Sequence, residues 1–228
     1  MSKRMNWLAV GLAVLTVAVL QPAARAQTAP RASITATGDG SVSATPDQAT
    51  ISVSVVTTAN TAVDAGNQNA TQTSALISAL RAVMAPTDQL RTTSYSLNPN
   101  YNNTGTLTGY TATNTIQVTT GDLSSTGKLI DTATQAGATR VQSLSFGLKD
   151  SQPFRAQALK LAAGQAQVQV AAIAAGLNVK LGNVIAASDG SAVSPLVTTL
   201  PTAGVTTPII SGTVQVSASV RLQVAIVP

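Results

Sequence analysis

Residues 214–226 read Val-Gln-Val-Ser-Ala-Ser-Val-Arg-Leu-Gln-Val-Ala-Ile, and Val214, Val216, Ala218, Val220, Leu222, Val224 and Ile226 fall on alternate positions. Gln215, Ser217, Ser219, Arg221 and Gln223 fill the positions between them. A period of two predicts a strand with one buried face. At roughly 3.3 Å per residue it would extend about 43 Å. That length allows pairing with several neighbours or with another subunit, which makes Val216, Val220, Leu222 and Val224 candidate interface residues.

Upstream the pattern recurs in shorter form. Residues 34–43 and 48–58 read as strands, the second with Ile51, Val53 and Val55 alternating with Ser52 and Ser54. Residues 61–85 change period: Val63, Asn67, Ala70, Ser74, Ile77, Leu80 and Met84 lie three or four apart, with Leu76 and Val83 widening the stripe. This spacing predicts a helix, opened by Thr61 with Asp64 three residues on and closed before Pro86. Residues 90–97 and 109–119 return to strand character around a polar tip at 98–108, predicting a hairpin. Asp122 is placed to cap a second helix that ends at Gly137, and residues 141–148 form a further strand. A third, alanine-rich helix is expected over 151–175, with Pro153 in its first turn and Gly176 at its C-cap. Residues 184–187 predict a short strand, and 188–207 a long irregular loop. The order implies an α+β fold: antiparallel-rich sheets with about three helices packed on one face, and a long C-terminal strand.

The amino terminus has the parts of a secretory signal: Lys3 and Arg4, an apolar run from Trp7 to Leu20, and Ala24-Arg25-Ala26. Residues 1–26 are therefore expected to be removed, with 27–33 as a flexible tail and 34–228 as one domain. Removing them takes three of the 13 basic residues and lowers the net charge from +5 to +2. The remaining Lys and Arg are scattered, which argues against a nucleic-acid partner. The mature part has no apolar run long enough to span a bilayer as a helix, because Gln165, Gln167 and Gln169 interrupt the most apolar stretch.

The chain contains no Cys, no His and no Glu; all eight acidic residues are Asp. This excludes disulfides, thiol nucleophiles, imidazole bases and metal sites built on His or Cys. No catalytic residue, metal ligand or cofactor is assigned. Gly38-Asp39-Gly40 lacks the third glycine of a nucleotide loop and is expected to be a turn or bulge at a strand. Gly121 to Lys128 has five residues between its glycines where a phosphate loop has four, and Leu129 stands where Ser or Thr is needed. Ser125-Thr126-Gly127-Lys128 matches a Ser-x-x-Lys pattern, with Ser188-Asp189-Gly190 as a faint second motif, but no Lys-Thr-Gly follows. A Ser/Lys hydrolase stays open as an alternative on those residues, as does a small-ligand-binding module at the Thr- and Tyr-rich hairpin. Tyr95, Tyr101 and Tyr110 cluster on that hairpin and are candidate interface anchors, since tyrosine buries a large area while keeping a polar tip.

Taken in order, several of these segments resemble the SIMPL-domain family of bacterial envelope proteins, of the periplasmic immunogenic protein type. The resemblance rests on Gly38-Asp39-Gly40 followed by Pro46-Asp47-Gln48-Ala49, on Leu90-Arg91-Thr92 leading to Leu97, Pro99 and Tyr101, and on Gly109-Tyr110-Thr111-Ala112-Thr113-Asn114. It continues through Leu129-Ile130-Asp131, Ala136-Gly137-Ala138, the alanine-rich helix, Leu181-Gly182 and the final strand. It implies export to the periplasm, with outer-membrane association or secretion as alternatives, an α+β fold, homo-oligomers in some members, and an association with envelope or oxidative stress protection. It implies no catalytic residues. The absence of Cys leaves no thiol-based antioxidant chemistry open to this chain.

Overall fold

In a computed structural model, the described residues are 32–190, 196–197 and 211–227. The expected signal segment, and most of the tract expected as a loop at 188–207, lie outside them. The strands are β1 Ser33–Ala44, β2 Gln48–Ala59, β3 Gln89–Tyr101, β4 Leu107–Thr120, β5 Arg140–Gly147, β6 Lys180–Asp189, β7 Leu196–Val197 and β8 Val214–Val227. The helices are α1 Ala62–Val83, α2 Thr126–Gln135, preceded by a 3-10 turn at Leu123–Ser125, and α3 Gln152–Gly176. The fold is α+β with antiparallel sheets, as the sequence predicts.

Two sheets divide these strands, one ordered β1-β8-β6 with β7 also on β8, the other β3-β4-β2-β5. The second is a split βαβ arrangement: β2-α1-β3 and β4-α2-β5 interleave so that β4 lies between β3 and β2. Its core is Ile51, Val53, Val55, Ile116 and Val118 from the sheet against Leu76 and Leu80 of α1 and Leu129, Ile130 and Ala133 of α2. The opposite face of β2 and β4 carries Thr50, Ser52 and Ser54 paired with Thr119, Gln117 and Thr115. The first sheet has its own core, Ile34, Ala36, Leu222 and Val224 against Ala166, Val170 and Ala174 of α3.

Several local expectations are corrected. The buried face of α1 is Ala65, Asn69, Thr73, Leu76 and Leu80, and Val63 stands exposed. Asn69 joins the core because Nδ2 donates to the carbonyls of Val55 at 3.0 Å and Ala112 at 3.2 Å, while its Oδ1 accepts from Thr73 Oγ1. The amide is thus satisfied where an apolar stripe would have been expected. Thr61 does cap α1, accepting from Asp64 N at 3.1 Å and donating to Asp64 Oδ2 at 2.7 Å.

Gly38-Asp39-Gly40 is neither a turn nor a bulge, for it lies in the unbroken register of β1 with β8. A Cβ on Gly38 would sit 2.2 Å from Ala162 O, and one on Gly40 would sit 2.2 Å from Ala158 O. The glycines let α3, through its alanines, lie almost on the strand backbone. At its far end α3 includes Gly176, and the left-handed position falls instead on Asn178, with φ 54°. The expected short strand at 184–187 extends over Lys180–Asp189, so Ser188 and Asp189 belong to a strand, and Leu196–Val197 pairs with β8. The expected hairpin tip shrinks to 102–106, where Asn102 Oδ1 accepts from Thr104 N and Thr106 N and Gly105 takes φ 80°.

Candidate functional site

The hairpin β3–β4 carries the candidate aromatic residues. Tyr95 pairs with Asn114, Leu97 with Ala112 and Pro99 with Tyr110, so these six share the face on which α1 packs. α1 covers β2 and β4 more fully than β3, which leaves Tyr95 54% exposed, Leu97 38% and Tyr101 62%. Leu107, paired with Tyr101, is exposed as well. Tyr110 is half-buried. Tyr95 lies toward α1 over Gly66, where an added Cβ would be 3.6 Å from its hydroxyl. Beside it, Asn114 Oδ1 is buried with no hydrogen-bond partner among the described residues. β3 is the outer strand of its sheet, and register shifts at Thr92/Ser94 and Asn100/Tyr101, with Pro99 between them, interrupt its free edge.

β8 has the opposite placement. It is flanked by β1 on one side and by β6 and β7 on the other, with α3 across its apolar face. Val216, Leu222 and Val224 are buried and Val220 is half-buried. The long strand expected to offer an interface is therefore the centre of its own sheet, because both backbone edges are paired within the chain and the alternating apolar face is covered by the helix.

The weaker motifs come apart in space. Ser125 Oγ donates to Asp122 O at 2.7 Å, at the 3-10 turn before α2. Asp189 ends β6 in the other sheet, ion-paired with Arg155 of α3. Asp122 caps the turn: Oδ1 accepts from Ser124 Oγ at 2.6 Å and Ser124 N at 3.0 Å, and the hydroxyl bond above all holds this carboxyl below the usual carboxylate range. Among the described residues no three acidic side chains converge to hold a metal ion. Open clefts among the described residues include one of about 460 Å³ beside Arg81, Met84, Pro86 and Asp88, and one of about 580 Å³ beside Val42, Lys160, Leu161 and Gly164.

Residues 34–224 match the family model SIMPL, described as a protein of unknown function (DUF541). The chain belongs to the SIMPL family. Among relatives, this SIMPL protein is 30% identical over 154 residues to the uncharacterized protein YggE of Escherichia coli (strain K12), across 66% of this chain and 63% of YggE. It is 26% identical over 166 residues to the 26 kDa periplasmic immunogenic protein of Brucella melitensis biotype 1, across 69% of this chain and 66% of that protein. The aligned stretch thus spans less than two thirds of YggE. No helix among the described residues is long and apolar enough to cross a membrane. The motifs that carry the resemblance have structural work: Gly38 and Gly40 seat α3, and Gly109, with φ 147°, passes so close to Ala59 that a Cβ would lie 2.7 Å from its carbonyl oxygen.

Proposed function

We propose that this SIMPL protein is exported through residues 1–26 to the periplasm and acts there without catalysis, as a self-assembling envelope component. The observation that carries the reading is the uncovered outer part of the hairpin, with Tyr95, Leu97 and Tyr101 exposed on the edge strand β3 and Leu107 exposed at the start of β4. Aromatic side chains of this kind are enriched where protein surfaces meet. Export is supported by the sequence of residues 1–26 and by a relative named periplasmic. The absence of His, Cys and Glu supports a non-catalytic role. Any protection against envelope or oxidative stress would then come from assembly, since no thiol is available to be oxidised.

The test is the molar mass of the exported protein by size-exclusion chromatography with light scattering, together with its first residue. Processing should leave Gln27 at the amino terminus, and the mass should be a multiple of the chain mass. Tyr95→Ser with Tyr101→Ser should raise the concentration at which the assembly dissociates about 100-fold, as loss of two modest hot spots implies. A monomer at all concentrations, or a serine acylated by a mechanism-based probe in a manner abolished by Ser125→Ala, would overturn the reading.

A further inference from the structure

β1 is the outer strand of the first sheet and pairs with β8 on its inner side. Ile226 N donates to Ala32 O, so the even-numbered residues of β1 bond to β8 and the odd-numbered ones turn their amides and carbonyls outward. Asp39 is odd, and its amide donates to Gln165 Oε1 of α3 at 2.7 Å. The outward groups of Ser41 and Ser43 have no hydrogen-bond partner among the described residues. An edge of this kind accepts a further strand. At Asp39 such a strand must stop, because Gln165 already holds the amide it would need.

α3 turns this edge into a groove. Gly40 is on the helix side of the sheet, where a Cβ would sit 2.2 Å from Ala158 O and 2.9 Å from Leu161 Cβ. Val42, also even-numbered, shares that face. Leu161 and Gln157 stand four and eight residues before Gln165 and lie on the same outer flank of the helix. Between this flank and Val42 opens the cleft of about 580 Å³, lined also by Lys160 and Gly164. Leu161 is 54% exposed, and an added Cβ on Gly164 would have nothing within 4 Å, so the cleft has room for an apolar side chain.

Lys160 gives the groove its sign. It has no ion-pair partner among the described residues, and no acidic residue lines the cleft. α3 itself contains no Asp or Glu, and Asp39, being odd-numbered, turns its side chain to the opposite face of the sheet. Lys160 directly precedes Leu161, which is level with Gly40, so the cation stands where an added strand has to end.

From this geometry we propose that the groove between β1 and α3 binds the extended carboxyl terminus of another protein, ending in an apolar residue. The peptide adds as an antiparallel strand, the direction that brings its terminal carboxylate to Lys160. Its last residue lies opposite Gly40 and its third from last opposite Val42, so both direct their side chains toward α3 and the cleft. The penultimate residue exchanges two backbone hydrogen bonds with Ser41, and the fourth from last does so with Ser43. Main-chain bonds supply affinity, while the apolar cleft and Lys160 select the sequence. This site is separate from the β3–β4 hairpin and does not depend on the assembly proposed above.

Fluorescence anisotropy with the full exported protein tests the proposal. The probe is a fluorescein-labelled peptide of alternating threonine and valine, ending in valine with a free carboxylate. It should bind saturably, and amidation of its carboxyl terminus should weaken binding about tenfold. Lys160→Gln should weaken the free-acid peptide by the same factor and leave the amide unchanged. Methylation of the penultimate amide nitrogen, which faces Ser41, should abolish binding; methylation of the final one, which faces away, should not. Gly164→Leu should fill the cleft and abolish binding with the circular dichroism spectrum intact. Absence of saturable binding to the unsubstituted protein, equal affinity for acid and amide, or indifference to the position of the methyl group would overturn the proposal. So would undiminished binding by a folded Gly164→Leu protein.

Discussion

Gly38 separates two effects that a glycine can have. Its added Cβ would meet backbone atoms of Ala162 and Ala166 at 2.2 and 2.3 Å, whereas Gly164 on the same helix has nothing within 4 Å. Gly38→Ala should therefore destabilise the protein by about 1–3 kcal/mol through overpacking. Gly164→Ala should stabilise it by about 0.5–1 kcal/mol through reduced chain entropy in a helix. Urea unfolding of the two variants checks the signs against each other. Asn69→Ala leaves the Val55 and Ala112 carbonyls without the amide and opens a gap in the core, for an expected loss of roughly 1–3 kcal/mol in the same measurement. At Asp122 the depressed pKa favours the folded state above the carboxyl's unfolded value, and that contribution is lost as pH falls through the folded value. Ser124→Ala should move the Asp122 titration, followed by NMR, upward toward the ordinary carboxylate range; an unchanged titration would show that the Ser124 hydroxyl is not its cause.

Elements were legible where a single physical rule governed them. The alternation of β8, the Thr61 cap of α1 and the Gly137 stop after α2 follow from period, capping and left-handed geometry, and Gly137 takes φ 99° as expected. Thr61→Ala should accordingly cost about 1 kcal/mol in the same unfolding assay. What stayed hidden depended on partners distant in sequence. Asn69 and Thr73 look like surface residues until the carbonyls of β2 and β4 are placed above them. Gly38 and Gly40 resemble turn residues because α3, which needs their missing side chains, lies more than a hundred residues away. β8 looked like a free interface because alternation reveals a buried face but not which neighbours occupy its two edges. Of the candidate site, the tyrosines of the hairpin were readable as a cluster, since hairpin pairing is local; that α1 leaves much of β3 exposed was not, because the path of a helix across a sheet depends on packing between segments distant in sequence.

At the scale of the molecule, two sheets each carry a separate helix-covered core, and each leaves part of a sheet face uncovered: β3 beside α1 and β6 beside α3. A small charged fraction, 9% of the chain, leaves few side chains to guard such surfaces, which supports the self-assembly proposed above. The molar mass of the exported chain by light scattering, followed across a dilution series, tests this most directly. Self-assembly predicts a mass several times that of the chain, falling on dilution sooner for Tyr95→Ser with Tyr101→Ser than for the unsubstituted protein. A single species at the mass of one chain at every concentration contradicts it.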